Sequence, residues 1–126
     1  MPLEFPDTPS AVAVGPYSPV VRAGDWLVVS GQIGLDPATG GLAEGGTAAE
    51  TAQILDNLSR LLADVGATLA DVAKTTVFLA DIGDWPMMNE AYAAAFGDHK
   101  PARSAIQAGA LPVGARVEIE AWVYKP

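Results

Sequence analysis

The chain has 126 residues, with 15 acidic against 7 basic side chains, a formal net charge of −8, and half of its residues hydrophobic. That length and composition describe one globular domain, 1–126, able to bury a core. The negative charge repels phosphate backbones and anionic lipid, which argues against nucleic-acid and membrane partners.

Cysteine is absent, which removes disulfides, thiolate metal sites and cysteine nucleophiles. The N-terminus Met1-Pro2-Leu3-Glu4-Phe5-Pro6-Asp7 lacks the basic and apolar regions of a signal peptide. No apolar run reaches the ~20 residues needed to span a bilayer. A cytoplasmic protein is the expectation.

Prolines at 2, 6, 9 and 16 make the first sixteen residues an irregular lead-in. A short strand over Val20–Arg22 and a tight turn at Ala23-Gly24-Asp25 precede a strong strand, Trp26–Ser30. Gly31–Gly46, with six glycines and Asp36-Pro37, reads mostly as loop. Thr47-Ala48-Ala49-Glu50 fits a capping box that opens a helix. Ala48, Thr51, Leu55, Leu58, Leu62 and Val65 form its apolar stripe, and Gly66 suits its end.

Val72–Leu79 is a further strand. A second helix runs from near Asp84, as N-cap, to Phe96, with Met88, Tyr92, Ala95 and Phe96 inward. Strands over Arg103–Ala108 and Val117–Tyr124 complete the order β-β-α-β-α-β-β. This is an α+β fold, a mixed sheet with both helices on one face.

The last strand alternates Val117, Ile119, Ala121 and Val123 with Glu118, Glu120, Trp122 and Tyr124. Trp122 and Tyr124 do not suit a solvated face, and Trp26–Ser30 is also apolar on both sides. The helix-free face therefore needs a cover, and a second copy of the chain is the expected one. Burial there would raise the pKa of Glu118 or Glu120 and make either a candidate acid or base. The alternative is that both sit at a wet rim as solubilising charges.

Arg103, in Pro101-Ala102-Arg103-Ser104, offers a fork that can hold a carboxylate through two parallel hydrogen bonds. Its alternative is an ion pair with one of the many acidic residues. His99 is the sole histidine, so no zinc set can form, and it reads as a surface residue. Ser18, Ser30 and Ser104 lack a neighbouring base, and the glycines match neither nucleotide-binding loop. No cofactor and no metal is expected.

Seven segments occur in order: Gly15-Pro16-Tyr17-Ser18; Ser30-Gly31-Gln32-Ile33-Gly34; Asp36-Pro37-Ala38-Thr39-Gly40; Lys74-Thr75-Thr76-Val77-Phe78-Leu79; Met88-Asn89-Glu90-Ala91-Tyr92; Pro101-Ala102-Arg103-Ser104; and Val117-Glu118-Ile119-Glu120-Ala121. From Gly15 onward the chain resembles the YjgF/RidA family of reactive-intermediate deaminases. The resemblance implies a chorismate-mutase-like fold and a homotrimer with clefts between subunits. It implies hydrolysis of 2-imino acids, such as 2-iminopropanoate and 2-iminobutanoate, or their enamine tautomers, to 2-keto acids and ammonia. Pyridoxal-phosphate enzymes acting on serine or threonine release such intermediates.

Carried over by position, Arg103 clamps the substrate carboxylate and Glu118 positions or activates water. Tyr17, Ser30, Gly31 and Asn89 line the pocket, and the backbone at Ala105 lies against the substrate. Ala105 stands where relatives often have cysteine, Lys100 where an aromatic is common, and Pro19 where glutamine is frequent. These departures leave room for a deaminase serving another imine or enamine. The composition also permits a non-catalytic trimer that binds small carboxylates or acts as a chaperone.

Overall fold

A computed structural model of the chain describes residues 2–11 and 15–126. Part of the expected lead-in, at Met1 and residues 12–14, lies outside the described residues. Five strands form one sheet: β1 (Val20–Ala23), β2 (Trp26–Ile33), β3 (Val72–Leu79), β4 (Ala102–Gln107) and β5 (Val117–Tyr124). Two helices, α1 (Thr47–Asp64) and α2 (Trp85–Phe96), join them. The sheet order is β1-β2-β5-β3-β4. All pairings are antiparallel except β3 with β4, which run parallel with α2 as their crossover. The expected mixed α+β architecture is observed, and no described helix is long and apolar enough to cross a membrane.

Alternation explains the layers. Val117, Ile119, Ala121 and Val123 of β5 share one buried face with Leu27 and Val29 of β2 and with Val77 and Leu79 of β3. They meet Ile54, Leu55, Leu58, Leu61 and Leu62 of α1 and Met88, Tyr92 and Phe96 of α2 in a single core. Burying each of these larger side chains contributes roughly 1.5–3 kcal/mol. On the other face Trp26, Trp122 and Tyr124 stay exposed and pack edge to face, with ring centroids 5.1 and 6.3 Å from Trp26.

Local expectations were corrected in several places. The lead-in is not wholly irregular, because Glu4 pairs with Arg22 through two backbone hydrogen bonds. β2 does not stop at Ser30. It continues through Gly31 to Ile33 past a register shift between Val29 and Gln32. β4 begins and ends one residue earlier than expected. The stripe on α1 also differs: Ala48 is exposed, and Ile54 and Leu61 are buried instead.

Thr47-x-x-Glu50 is not a capping box. Gly46 is the N-cap and no side chain caps the helix. The Thr47 hydroxyl donates to Asp84 Oδ2 at 2.7 Å, and Glu50 Oε1 accepts the Arg116 backbone N–H at 2.9 Å. Both residues tie α1 to other elements, and buried polar groups of this kind need such partners. Asp84 does precede α2 as its N-cap, but its carboxylate serves Thr47 rather than the helix. A capping box does exist at Thr68 and Asp71, ahead of β3. Gly66 ends α1 as expected, at φ 78°, with Ala67 N–H bonded to Leu62 O and Gly66 N–H to Ala63 O. These are the two bonds of a Schellman motif.

Candidate functional site

The candidate residues fall into two groups. In the first, Arg103 lies on edge strand β4 in register with Thr75 of β3. Thr75 is fully buried, and its hydroxyl shares a 2.7 Å hydrogen bond with the Tyr92 hydroxyl of α2. Arg103 therefore projects toward α2. Its guanidinium carbon stands 4.9 Å from the centroid of the Tyr92 ring and 5.8 Å from that of Trp85. Its Nη1 points at Met88 Sδ, 3.7 Å away. Stacking on aromatic faces holds the fork, and apart from the weak Nη1 contact to Met88 Sδ its edge donors have no partner among the described residues.

The expected alternative, an ion pair, is not what forms. Among the described residues, Arg103 has no carboxylate within ion-pair distance, whereas Arg22, Arg60 and Arg116 each have one. A cavity of about 470 Å³ opens beside Arg103 and is also lined by Asn89, Tyr92, Phe96, His99 and Lys100. Asn89 Oδ1 is buried and receives no hydrogen bond from the described residues. His99 is not a plain surface residue, since it is half-buried with Nε2 2.7 Å from Val72 O. Burial pushes the Tyr92 hydroxyl pKa above its ordinary value, and the Thr75 hydrogen bond and the Arg103 charge partly offset this.

Ala105 follows Arg103 by two residues and is half-buried against the core. Ala108 donates its N–H to Leu79 O, so strand alternation turns the N–H of Ala105 away from β3, along the free edge.

In the second group, Glu118 of β5 lies on the helix-free face, in register with Phe78 of β3 and Ile33 of β2. Gly31 packs directly against it. A Cβ at Gly31 would collide with Glu118 Oε2 and lie 3.0 Å from its Cδ. Burial raises the Glu118 pKa above the ordinary carboxylate value, and the neighbouring charge of Glu120 adds to the rise. Both glutamates are half-buried in the single chain.

Ser30 donates its hydroxyl to Ser18 O at 2.6 Å, and its N–H bonds Pro19 O at 2.9 Å. These bonds pin the segment carrying Tyr17 onto β2. Tyr17 is exposed, and with Gly31 it lines a smaller cavity of about 180 Å³.

The structure thus brings Gly31 against Glu118, ties Ser30 to the segment carrying Tyr17, and sets Arg103 and Asn89 together beside α2. It does not bring Arg103 and Glu118 together within one chain. Sequence reasoning missed the seat of Arg103. Trp85, Met88, Asn89 and Tyr92 recur at i, i+3, i+4 and i+7, so their shared helix face was available as a signal.

A family model described as endoribonuclease L-PSP matches residues 8–125. The chain is similar to a human protein named 2-iminobutanoate/2-iminopropanoate deaminase, 48% identical over 109 residues, covering 86% of this chain and 80% of that one. It is similar to a RutC family protein of Pyrococcus horikoshii, 45% identical over 112 residues and 89% of each chain. The crystal structure of RidA from the Antarctic bacterium Psychrobacter sp. matches with a TM-score of 0.89 at 39% identity, covering 96% of this chain and 98% of that one.

Proposed function

The chain belongs to the YjgF/RidA family, and on that premise we propose that it hydrolyses 2-imino acids and their enamine tautomers to 2-keto acids and ammonia. One observation carries this reading. Arg103 is a cation seated on aromatic rings, facing a cavity, with no carboxylate partner among the described residues. A substrate carboxylate supplies what it lacks.

In this reading Arg103 holds the carboxylate and the free N–H of Ala105 supports it. Asn89 Oδ1 accepts from the iminium N–H. Glu118 takes a proton from water as the water oxygen bonds to the imine carbon. It then returns that proton to the nitrogen of the carbinolamine. The C–N bond breaks, the oxygen becomes the keto group, and ammonium leaves with the remaining proton. A raised pKa makes Glu118 a better base near neutrality, and a placed base contributes ~10²–10⁴-fold. Gly31 seats Glu118, and Tyr17 and Ser30 contribute to the pocket from the adjoining segment. Fixing the carboxylate adds an orientation gain.

Arg103 and Glu118 project from opposite faces of the sheet, which supports a site completed by a second copy. The exposed Trp26, Trp122 and Tyr124 support the same assembly, a homotrimer. The name endoribonuclease in the family description favours a second reading, cleavage of RNA. The net charge of −8 weighs against it, as does a sole histidine already bonded to Val72 O.

The test is keto-acid release in an assay coupled to a serine/threonine dehydratase. Acceleration over buffer that is lost in Arg103→Ala supports the reading. No acceleration, or full activity in Arg103→Ala, sinks it.

A further inference from the structure

The cavity beside Arg103 carries more positive charge than a monocarboxylate needs. The chain has only seven Lys and Arg against 15 acidic residues. Four of the seven, Arg22, Arg60, Arg116 and Lys125, stand within 4.0 Å of a carboxylate. Among the described residues Lys74, Lys100 and Arg103 do not. Two of these three, Lys100 and Arg103, line the same cavity, no Asp or Glu of the same chain lines it, and in the proposed assembly Glu118 reaches it only from a second copy. In a chain of net charge −8 a cavity with cations and no acid is a local reversal of sign, and such a cavity concentrates anions.

The two cations differ in kind. Arg103 presents a rigid fork fixed over Tyr92, suited to one carboxylate held through two parallel bonds. Lys100 is a point charge on a flexible stem, exposed just before β4 begins, and it adapts to a second anion at variable reach. The volume of about 470 Å³ accommodates more than a three- or four-carbon acid.

We propose that this cavity takes 2-imino acids bearing a second carboxylate on the side chain, with Lys100 as the residue that selects them. This rests on the reading of Arg103 as the clamp for the first carboxylate. Arg103 binds the carboxylate beside the imine, Asn89 Oδ1 accepts from the imine nitrogen, and Lys100 meets the distal carboxylate. A monocarboxylate leaves Lys100 in water and gains nothing from it.

The test compares imines generated in situ by amino-acid oxidases from aspartate or glutamate with the imine from alanine. Decay is followed by trapping the residual imine with semicarbazide. The expected kcat/KM of the wild type is about tenfold higher for the dicarboxylates, and Lys100→Met lowers the ratio of dicarboxylate to monocarboxylate by about tenfold, or 1.4 kcal/mol. A wild-type ratio near one, or a ratio unmoved by Lys100→Met, overturns the proposal.

A second arm is independent of turnover. Calorimetric binding of 2-oxoglutarate should be tighter than that of 2-oxobutanoate, the difference should shrink with added salt, and Lys100→Met should abolish it. A Lys100-dependent binding preference without imine turnover would retain the dicarboxylate site and reject the deaminase reading. Turnover without that preference would do the reverse.

Discussion

Gly31→Ala is the smallest change that probes the geometry around Glu118. The new methyl group would overlap Glu118 Oε2 and press on Cδ at 3.0 Å and Cγ at 3.3 Å. Because Glu118 belongs to β5 and is half-buried, its carboxylate must rotate away or the strands must part. The atoms it meets are the far end of a flexible side chain, so displacing them costs about 0.5–1.5 kcal/mol. For a domain of this size each kcal/mol lowers Tm by roughly 3–5 °C.

The decisive measurement is a double-mutant cycle by denaturant unfolding with Gly31→Ala, Glu118→Ala and both together. Removing the carboxylate removes the collision, so the double variant should recover most of the Gly31→Ala loss. The coupling energy should reach about 0.5–1.5 kcal/mol. Keto-acid release should fall by ~10²–10⁴-fold in Gly31→Ala, since the displaced base no longer meets the water. Additive stabilities, or unimpaired turnover in Gly31→Ala, would show that Gly31 does not seat Glu118.

Other expectations follow from the same geometry. Arg103→Lys keeps the charge but loses the fork, and kcat/KM should fall by about 10–100-fold, read in steady-state kinetics, given ~1.5–3 kcal/mol for a charge-assisted hydrogen bond. Glu118 must be ionised to act as a base and its pKa is raised, so activity should fall with acidification from above the ordinary carboxylate range. Glu120→Gln removes the like charge, lowers the Glu118 pKa and should move that acid limb to lower pH. A fixed limb in the pH profile would contradict this. The folded chain holds the Glu118 proton more tightly than the unfolded one, so this residue's contribution to stability should decline as pH rises through that interval. Thr75→Val leaves the buried Tyr92 hydroxyl without its partner and should cost about 1–3 kcal/mol in chemical denaturation.

Much of the layer structure was legible because alternation is a local property. β5 announced its two faces residue by residue, and the helix-covered one is the buried one. Side chains serving distant partners were not legible. Thr47 and Glu50 have the spacing of a capping box, yet Asp84 and the Arg116 backbone claim them from 37 and 66 residues away. The apolar stripe read from spacing is narrower than the buried face of α1, which also includes Ile54 and Leu61. Glycine usually punctuates, so the sequence pattern ends this strand at Ser30, whereas Gly31 continues it and clears space for Glu118. The spacing of Trp85, Met88, Asn89 and Tyr92 shows their shared helix face, but only the β3–α2–β4 crossover sets that face over Arg103.

The sheet order also bears on how the chain reaches this structure. β5 follows every other strand in sequence, yet it occupies the centre, between β2 and β3. Until it is in place the β1–β2 hairpin and the β3–α2–β4 unit share no backbone ladder. Besides the outer edges at β1 and β4, the edges of β2 and β3 then lie open, which invites pairing with other chains. Folding is then governed by a contact of long sequence separation, and closing it is slow relative to a helical protein of equal length. A ribosome-bound chain that has not yet exposed Val117–Tyr124 would hold two half-sheets, and insertion of this one strand would convert them into a core in a single cooperative event.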